Sequence, residues 1–337
     1  MIRLVLFLFC CGIGHLQAQV SDFEGVDFRK ADSLAALYRG EDLSRLPFLT
    51  YKLTAPLPQA VEKFRAIYVW VAQNIENDYA IYLKNKKKRE ALPLGSPELQ
   101  AWNQSLQSQV FKKLVKEQKT ICTGYAYLIK EMANLVDIPC EIVDGYGRSV
   151  QSNIGGKGVA NHSWNAVQLN GKWYLCDATW SSGYFQLPER KFVFDFVEGY
   201  FLAEPELFAR KHYPLDEKWL LIDQAFKLEE FLNAPLIYKD AYQYQIIPQE
   251  PREMKLNLKK GESLTFKVKA PSDFDPEDLT IQKGFVATRQ TLNTSFQRNE
   301  EGVLEANYTF DRLGRFDLHF VVEEATVLSY TVRVQKK

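Results

Sequence analysis

Cys122, His162 and Asp177 are the residues of this 337-residue chain whose types and spacing could do nucleophilic chemistry. Cys122 stands immediately before a helical pattern in which Tyr125, Ile129, Met132, Ala133 and Val136 share one face. A helix N-terminus carries partial positive charge and unpaired N–H groups, and both favour a thiolate. Position alone is not enough, because a cysteine at a helix start is also an ordinary packing residue. A nucleophile needs a base, and the base needs a group to orient it. The segment from His162 to Asp177 offers both. Asn170-Gly171 between two strand-like runs is a strong signal for a two-residue type I′ hairpin. Such a loop pairs Leu169 with Lys172, and counting back sets Trp164 opposite Asp177 and His162 opposite Thr179, all on one face. His162 and Asp177 are then diagonal neighbours within reach of each other. The carboxylate can hold the imidazole and stabilise its charged form, as the third member of a Cys-His-Asp triad does.

The elements that must position these residues fall into two unlike halves. From Arg29 to about Tyr82 the pattern is helical, with Val61, Phe64, Ile67, Tyr68, Val71 and Ile75 recurring at steps of three and four. The basic cluster Lys84, Lys86, Lys87, Lys88 and Arg89 reads as a solvated loop. Pro139 ends the helix that follows Cys122, and strand-like runs cover Glu141–Tyr146, Ser163–Leu169 and Trp173–Thr179. Beyond about Gln245 the period changes to two, as in Leu264, Phe266 and Val268, and again over Leu304–Phe310, Phe316–Phe320 and Leu328–Val334. Short alternating strands between Gly, Pro, Asp and Asn turns predict a β-sandwich. The expectation is therefore an α+β domain over 19–244, with the helix-start cysteine packed on an antiparallel sheet, and an Ig-like β-sandwich over 245–337.

Residues 1–18 read as a secretory signal peptide: Arg3, an apolar run from Leu4 to Gly14, then His15-Leu16-Gln17-Ala18. The run is too short to span a bilayer, and no longer one exists. Acylation of Cys10 or Cys11 as a lipoprotein is the alternative. Cleavage after Ala18 leaves an exported protein with three cysteines (Cys122, Cys140, Cys176) and three histidines (His162, His212, His319), so at most one disulfide forms. Cys140 and Cys176 are either that disulfide or two buried thiols. With 42 Lys plus Arg against 42 Asp plus Glu, the chain lacks the basic surface that nucleic acid requires. No CxxC, HExxH or similar spacing is present, so neither metal nor cofactor is expected. Gly155-Gly156-Lys157-Gly158 lacks the phosphate-loop spacing and reads as a mobile loop before His162. Asp273, Asp275 and Asp278 read as a solvated turn, and His212, far downstream of Asp177 and near Pro214, as structural.

Thr120-Ile121-Cys122-Thr123-Gly124-Tyr125-Ala126 resembles the nucleophile motif of the transglutaminase-like superfamily. His162-x-Trp164-Asn165-x-Val167 and Gly171-Lys172-Trp173-Tyr174-x-x-Asp177-x-Thr179-Trp180 are similar to its His and Asp motifs, and Lys63–Ile75 to its leading helix. Gly199-Tyr200-Phe201-Leu202, His212-Tyr213-Pro214 and Lys218-Trp219 look like the kyphoscoliosis-peptidase branch. The resemblance covers roughly residues 30–235. It implies acyl transfer at an amide carbonyl of a peptide or protein substrate, with Cys122 as nucleophile, His162 as base and acid, and Asp177 as orienting carboxylate. The backbone N–H of Cys122 would be one oxyanion donor, with Gln118 and Trp102 as candidates for the second. Trp164 and Trp180 are candidate cleft residues. A catalytically silent protein-binding module on the same fold is the alternative.

Overall fold

The computed structural model describes residues 19–93, 95–284 and 288–336. The leader-like residues 1–18, with Cys10, Cys11 and His15, lie outside them. Helix α3 (Ala60–Asn74) is the spine of the N-terminal half, packed by α1 (Arg29–Leu37) and α2 (Leu46–Thr54). Phe64, Ile67, Tyr68, Trp70 and Val71 are all buried, so the helix is enclosed on nearly every side. Each such side chain contributes about 1.5–3 kcal/mol by leaving water. The buried Arg65 is satisfied by ion pairs with Asp32 at 2.7 Å and with Glu198, and lies over the Phe201 ring.

The basic cluster is not a loop. It lies within helix α4 (Tyr79–Ala91), whose start is capped by the Asp78 carboxylate accepting from the Ile81 N–H at 3.0 Å. Lys84, Lys87 and Lys88 are exposed, while Tyr82, Asn85 and Arg89 turn inward at helical spacing. Charge density hid a periodicity carried by only three positions. Helix α5 (Pro97–Glu117) packs beside α4, and Lys84 and Lys88 each reach over the α5 ring of Trp102. This helical hairpin leaves from β1 (Glu76–Asn77) and returns at β2 (Lys119–Thr120), which pair in parallel.

Helix α6 (Cys122–Asn134) packs against α3 and against a sheet with strand order β5-β4-β3-β8. These strands are β3 (Cys140–Gly147), β4 (His162–Leu169), β5 (Lys172–Cys176) and β8 (His212–Pro214). A small ribbon, β6 (Gly183–Gln186) and β7 (Lys191–Phe194), stands apart. The β4–β5 turn has positive φ at both Asn170 (50°) and Gly171 (81°), as a type I′ turn demands. The ladder runs from Leu169↔Lys172 to Asn165↔Cys176 and stops there. Trp164 therefore does not pair with Asp177, nor His162 with Thr179. Asp177 instead caps the one-turn helix α7 (Ala178–Ser182), accepting from the N–H groups of Thr179 and Trp180 at 2.9 and 3.2 Å. Short-range bonds of this kind let Asp compete with a strand ladder.

Beyond residue 245 two sheets face each other. One has order β10-β12-β16-β15 (Ile247–Glu250, Glu262–Lys269, Leu304–Phe310, Gln297–Arg298). The other has order β11-β18-β17-β13-β14 (Lys255–Lys259, Ala325–Gln335, Gly314–Val322, Leu279–Lys283, Gln290–Thr291). Phe266, Phe320 and Tyr330 interlock between them with centroids 5.3–5.6 Å apart. Strand β9 (Leu236–Ile237), which precedes the change of period, also pairs with β18. Cys140 and Cys176 are free buried thiols. Among the described residues no helix is long and apolar enough to cross a membrane.

Candidate active site

The site forms where the start of α6 meets β4, with β3 and β8 beside it. Cys122 is the first residue of α6, so its N–H has no partner within the helix. On β3, Gly145 lies opposite His162 of β4, and Gly147 opposite His212 of β8. The two histidines thus flank β3 on the same face, their strands separated by one other. A Cβ on Gly147 would lie 2.8 Å from the Cβ of His162, and one on Gly145 would lie 2.2 Å from the Tyr213 carbonyl oxygen. The bare backbone at both positions lets the imidazoles lean inward, to 5.5 Å between ring centroids. Gly147→Ala is accordingly expected to push His162 aside, costing about 1–3 kcal/mol by overpacking. A thermal melt and the rate of Cys122 alkylation near pH 6 check this together, and both should fall.

Asp177 collects the polar contacts. Its Oδ1 caps α7, and its Oδ2 lies 2.7 Å from His162 Nε2 and 3.0 Å from His212 Nε2. With Nε2 engaged, Nδ1 is the His162 nitrogen left to face the Cys122 thiol. All four side chains are nearly removed from solvent. Burial disfavours a charged imidazole at His162, but the charge and hydrogen bond of Asp177, with those of Cys122, outweigh it and raise its pKa to about 10. Burial likewise opposes the Cys122 thiolate, yet the hydrogen bond and charge of His162 and the Ser163 N–H carry its pKa below the ordinary thiol value. Asp177 is held ionised against its burial by the two histidines, His162 first. His212 goes the other way: burial pushes its pKa down to about 4, so it is neutral. Nδ1 also faces an acceptor, the Phe208 carbonyl at 3.3 Å, but the nearer and anionic Oδ2 makes Nε2 the protonated nitrogen of that neutral ring. The His162 imidazole thus lies between the Cys122 thiol and the buried Asp177 carboxylate.

Residues 47–178, which include Cys122, His162 and Asp177, match the transglutaminase-like superfamily. Kyphoscoliosis peptidase of Mus musculus is 31% identical over 217 residues, covering 64% of this chain and 30% of that protein. This chain carries a transglutaminase-like domain, and over about two thirds of its length it is similar to kyphoscoliosis peptidases. Kyphoscoliosis peptidase of Homo sapiens matches to the same extent, and Hillarin of Drosophila melanogaster is 23% identical over 232 residues, 65% of this chain and 26% of that one. The chain therefore spans less than a third of the length of these relatives.

Two shallow cavities meet at Cys122 and His162 of this transglutaminase-like core, with volumes of about 190 and 230 Å³. Trp180 lines the first and stacks on His162 at 4.5 Å with the planes 16° apart. The buried Lys211, its pKa lowered to about 8 by burial, sits 4.4 Å from the Trp180 ring and donates to the Tyr200 hydroxyl at 2.8 Å. Trp164 is not a cleft residue. It is buried beneath, edge-on to Phe208 and His212, because its position on β4 turns it to the enclosed end of the sheet. Trp102 and Gln118 are also displaced from the cleft. The Trp102 indole donates to Asn85 at 3.0 Å, and the Gln118 amide donates to the Glu41 carbonyl at 2.6 Å, in a different surface depression. Neither is free to meet an oxyanion near Cys122. Sequence reading missed His212, whose one available signal was rarity: two of the three histidines beyond residue 18 meet on Asp177.

His162, Asp177 and His212 offer three donor atoms within 4.8 Å of one another, the spacing of a metal site. Those atoms already bond each other through Oδ2 in an enclosed pocket, so a metal would have to displace both N–H···O bonds. The cluster fits a hydrogen-bonded triad better than a coordination shell with an open position.

Proposed function

We propose that the chain is an exported, thiol-dependent acyl-transfer enzyme acting on peptide or protein amides. The observation that carries this reading is the single buried chain of Cys122, His162 and Asp177 at the meeting point of two cavities. The Cys122 thiolate attacks the amide carbonyl carbon, and the C=O electron pair moves to oxygen. The Cys122 N–H at the start of α6 points its dipole at that oxyanion. Tyr82, which lines the first cavity with Cys122, supplies a hydroxyl as the second donor. Collapse expels the amine, which takes the His162 proton, and leaves a thioester. His162 then removes a proton from water or a primary amine, which attacks the thioester and releases the Cys122 thiolate. Water gives hydrolysis and an amine gives cross-linking.

Iodoacetamide labelling at pH 6 tests the nucleophile. Cys122 is expected to alkylate at least about tenfold faster than an unperturbed peptide cysteine of pKa near 8.5, whose thiolate fraction there is roughly 0.3%. An equal or slower rate sinks the enzyme reading and favours a silent binding module. Incubation with a peptide library, with and without a primary amine, then separates hydrolysis from cross-linking. Export predicts a mature N-terminus at Gln19, which N-terminal sequencing of the secreted protein reads directly.

A further inference from the structure

The two cavities that meet at Cys122 are lined by different chemistry. The second sets Asn85, Arg89, Asn103 and Asp144 beside Leu99 and Leu215. The first is lined by six aromatic residues, Tyr79, Tyr82, Trp180, Tyr184, Phe185 and Phe192, beside the polar Asn77 and Ser152. They come from three separate elements, α4, α7 and the β6–β7 ribbon, so no single run of sequence displays the patch. The wall is braced. Tyr79 stacks on Phe185 at 4.2 Å with the planes 13° apart, and on Tyr82 at 5.7 Å. Tyr184 is 48% exposed at the rim.

We propose that this aromatic-walled cavity is a specificity pocket for an aromatic or large aliphatic side chain of a polypeptide substrate, on one side of the reacting carbonyl. The proposal rests on the acyl-transfer reading and adds the class of residue selected. Size and chemistry agree. A cavity of about 190 Å³ exceeds the roughly 150 Å³ that accommodates a benzene ring in a protein interior. Offset and edge-on contacts with surrounding rings favour an aromatic guest over an aliphatic one of equal area. A charged side chain would lose its hydration there, since no Lys, Arg, Asp or Glu lines this cavity and the Cys122 and His162 charges already neutralise each other. Continuity with Cys122 distinguishes the pocket from a general sticky patch: Cys122 and His162 form part of the same wall.

Irreversible electrophiles that alkylate Cys122 without turnover provide the test. Peptidyl chloromethyl ketones place their side chain on the acyl side of the sulfur, and chloroacetyl-peptides place it on the other. In one of the two series the Phe reagent should label Cys122 at least about tenfold faster than its Gly and Asp counterparts, within the roughly 10- to 200-fold that one methylene contributes in an apolar pocket. Phe185→Ser should erase that preference while leaving the iodoacetamide rate unchanged. Tyr184→Ser, at the exposed rim, should reduce it severalfold even if Phe185→Ser fails to fold. Equal labelling by Phe, Gly and Asp reagents in both series, with fast iodoacetamide labelling, overturns the specificity pocket and leaves the nucleophile reading standing. Slow labelling by every reagent, iodoacetamide included, overturns the nucleophile reading itself.

Discussion

Replacing His162 by alanine is expected to move the acid limb of Cys122 alkylation to higher pH. In the intact site the thiolate–imidazolium pair exists between the lowered pKa of Cys122 and the raised pKa of His162, about 10. Reactivity should thus set in below the ordinary thiol value near 8.5 and hold to about 10. Without His162 the strongest remaining influence is burial, which favours the neutral thiol. A low-pKa thiolate is intrinsically a weaker nucleophile, so the rate loss at pH 6 is about tenfold, far less than the loss of thiolate. The position of the acid limb is therefore the sharper readout. Turnover should fall much further, because His162 must also protonate the leaving amine. Asp177→Asn retains the shape but not the charge, and in a related triad such a change costs about 10⁴-fold. An acid limb unmoved in His162→Ala would mean that the helix start alone sets the Cys122 pKa.

The sign of the linked stability follows from the same pair. His162 has a folded pKa above its unfolded value near 6.5, so its contribution is fully present below 6.5 and is lost as pH rises toward about 10. Asp177 has a lowered folded pKa, so its contribution is present above the unfolded carboxylate value near 3.9 and is lost as pH falls below it. The pair is strongest between those limits.

Much of this site was legible in the sequence because its signals are local. Asn170-Gly171 set the register of β4 on β5, and that register held for every pair down to Asn165↔Cys176. The helical period after Cys122 placed the thiol at a helix start. What was hidden depends on distance. His212 reaches Asp177 only because β8 adds to the far edge of β3, a three-residue strand with no period of its own. Helix α4 was masked by its exposed lysines, because Lys84, Lys87 and Lys88 outweigh an inward period carried by only three side chains. Trp102 and Gln118 are near Cys122 in sequence but are carried away by α5 and by the left-handed turn at Gln118 (φ 52°) that ends it. The bend at Asp177 is a subtler miss: a carboxylate expected on a strand caps a helix instead, and the same side chain still reaches His162.

His212→Phe and His212→Gln should behave oppositely in activity while agreeing in acid stability. His212 is buried and neutral, stacked on Phe208 at 3.7 Å, and its Nε2–H donates to the Oδ2 that also receives His162. Its folded pKa, about 4, lies below the unfolded value near 6.5, so the unfolded chain binds the extra proton between those pH values. The native protein should lose up to about 3 kcal/mol as pH falls from 6.5 to 4, and urea titrations of either variant should lack that slope. The acid arm thus reports chiefly the burial of the His212 ring, partly offset by Asp177. Activity reports the hydrogen bond. Phenylalanine preserves the stack and the volume but removes the donor, leaving Asp177 free to shift relative to His162. Misplacement by about 1 Å can cost on the order of 100-fold, so a loss of about tenfold or more is expected. Glutamine packs worse on Phe208 yet can return an N–H to Oδ2, and should recover most of the rate. If phenylalanine retains full activity and glutamine loses it, His212 is a packing residue and Asp177 is held by α7 and His162 without it.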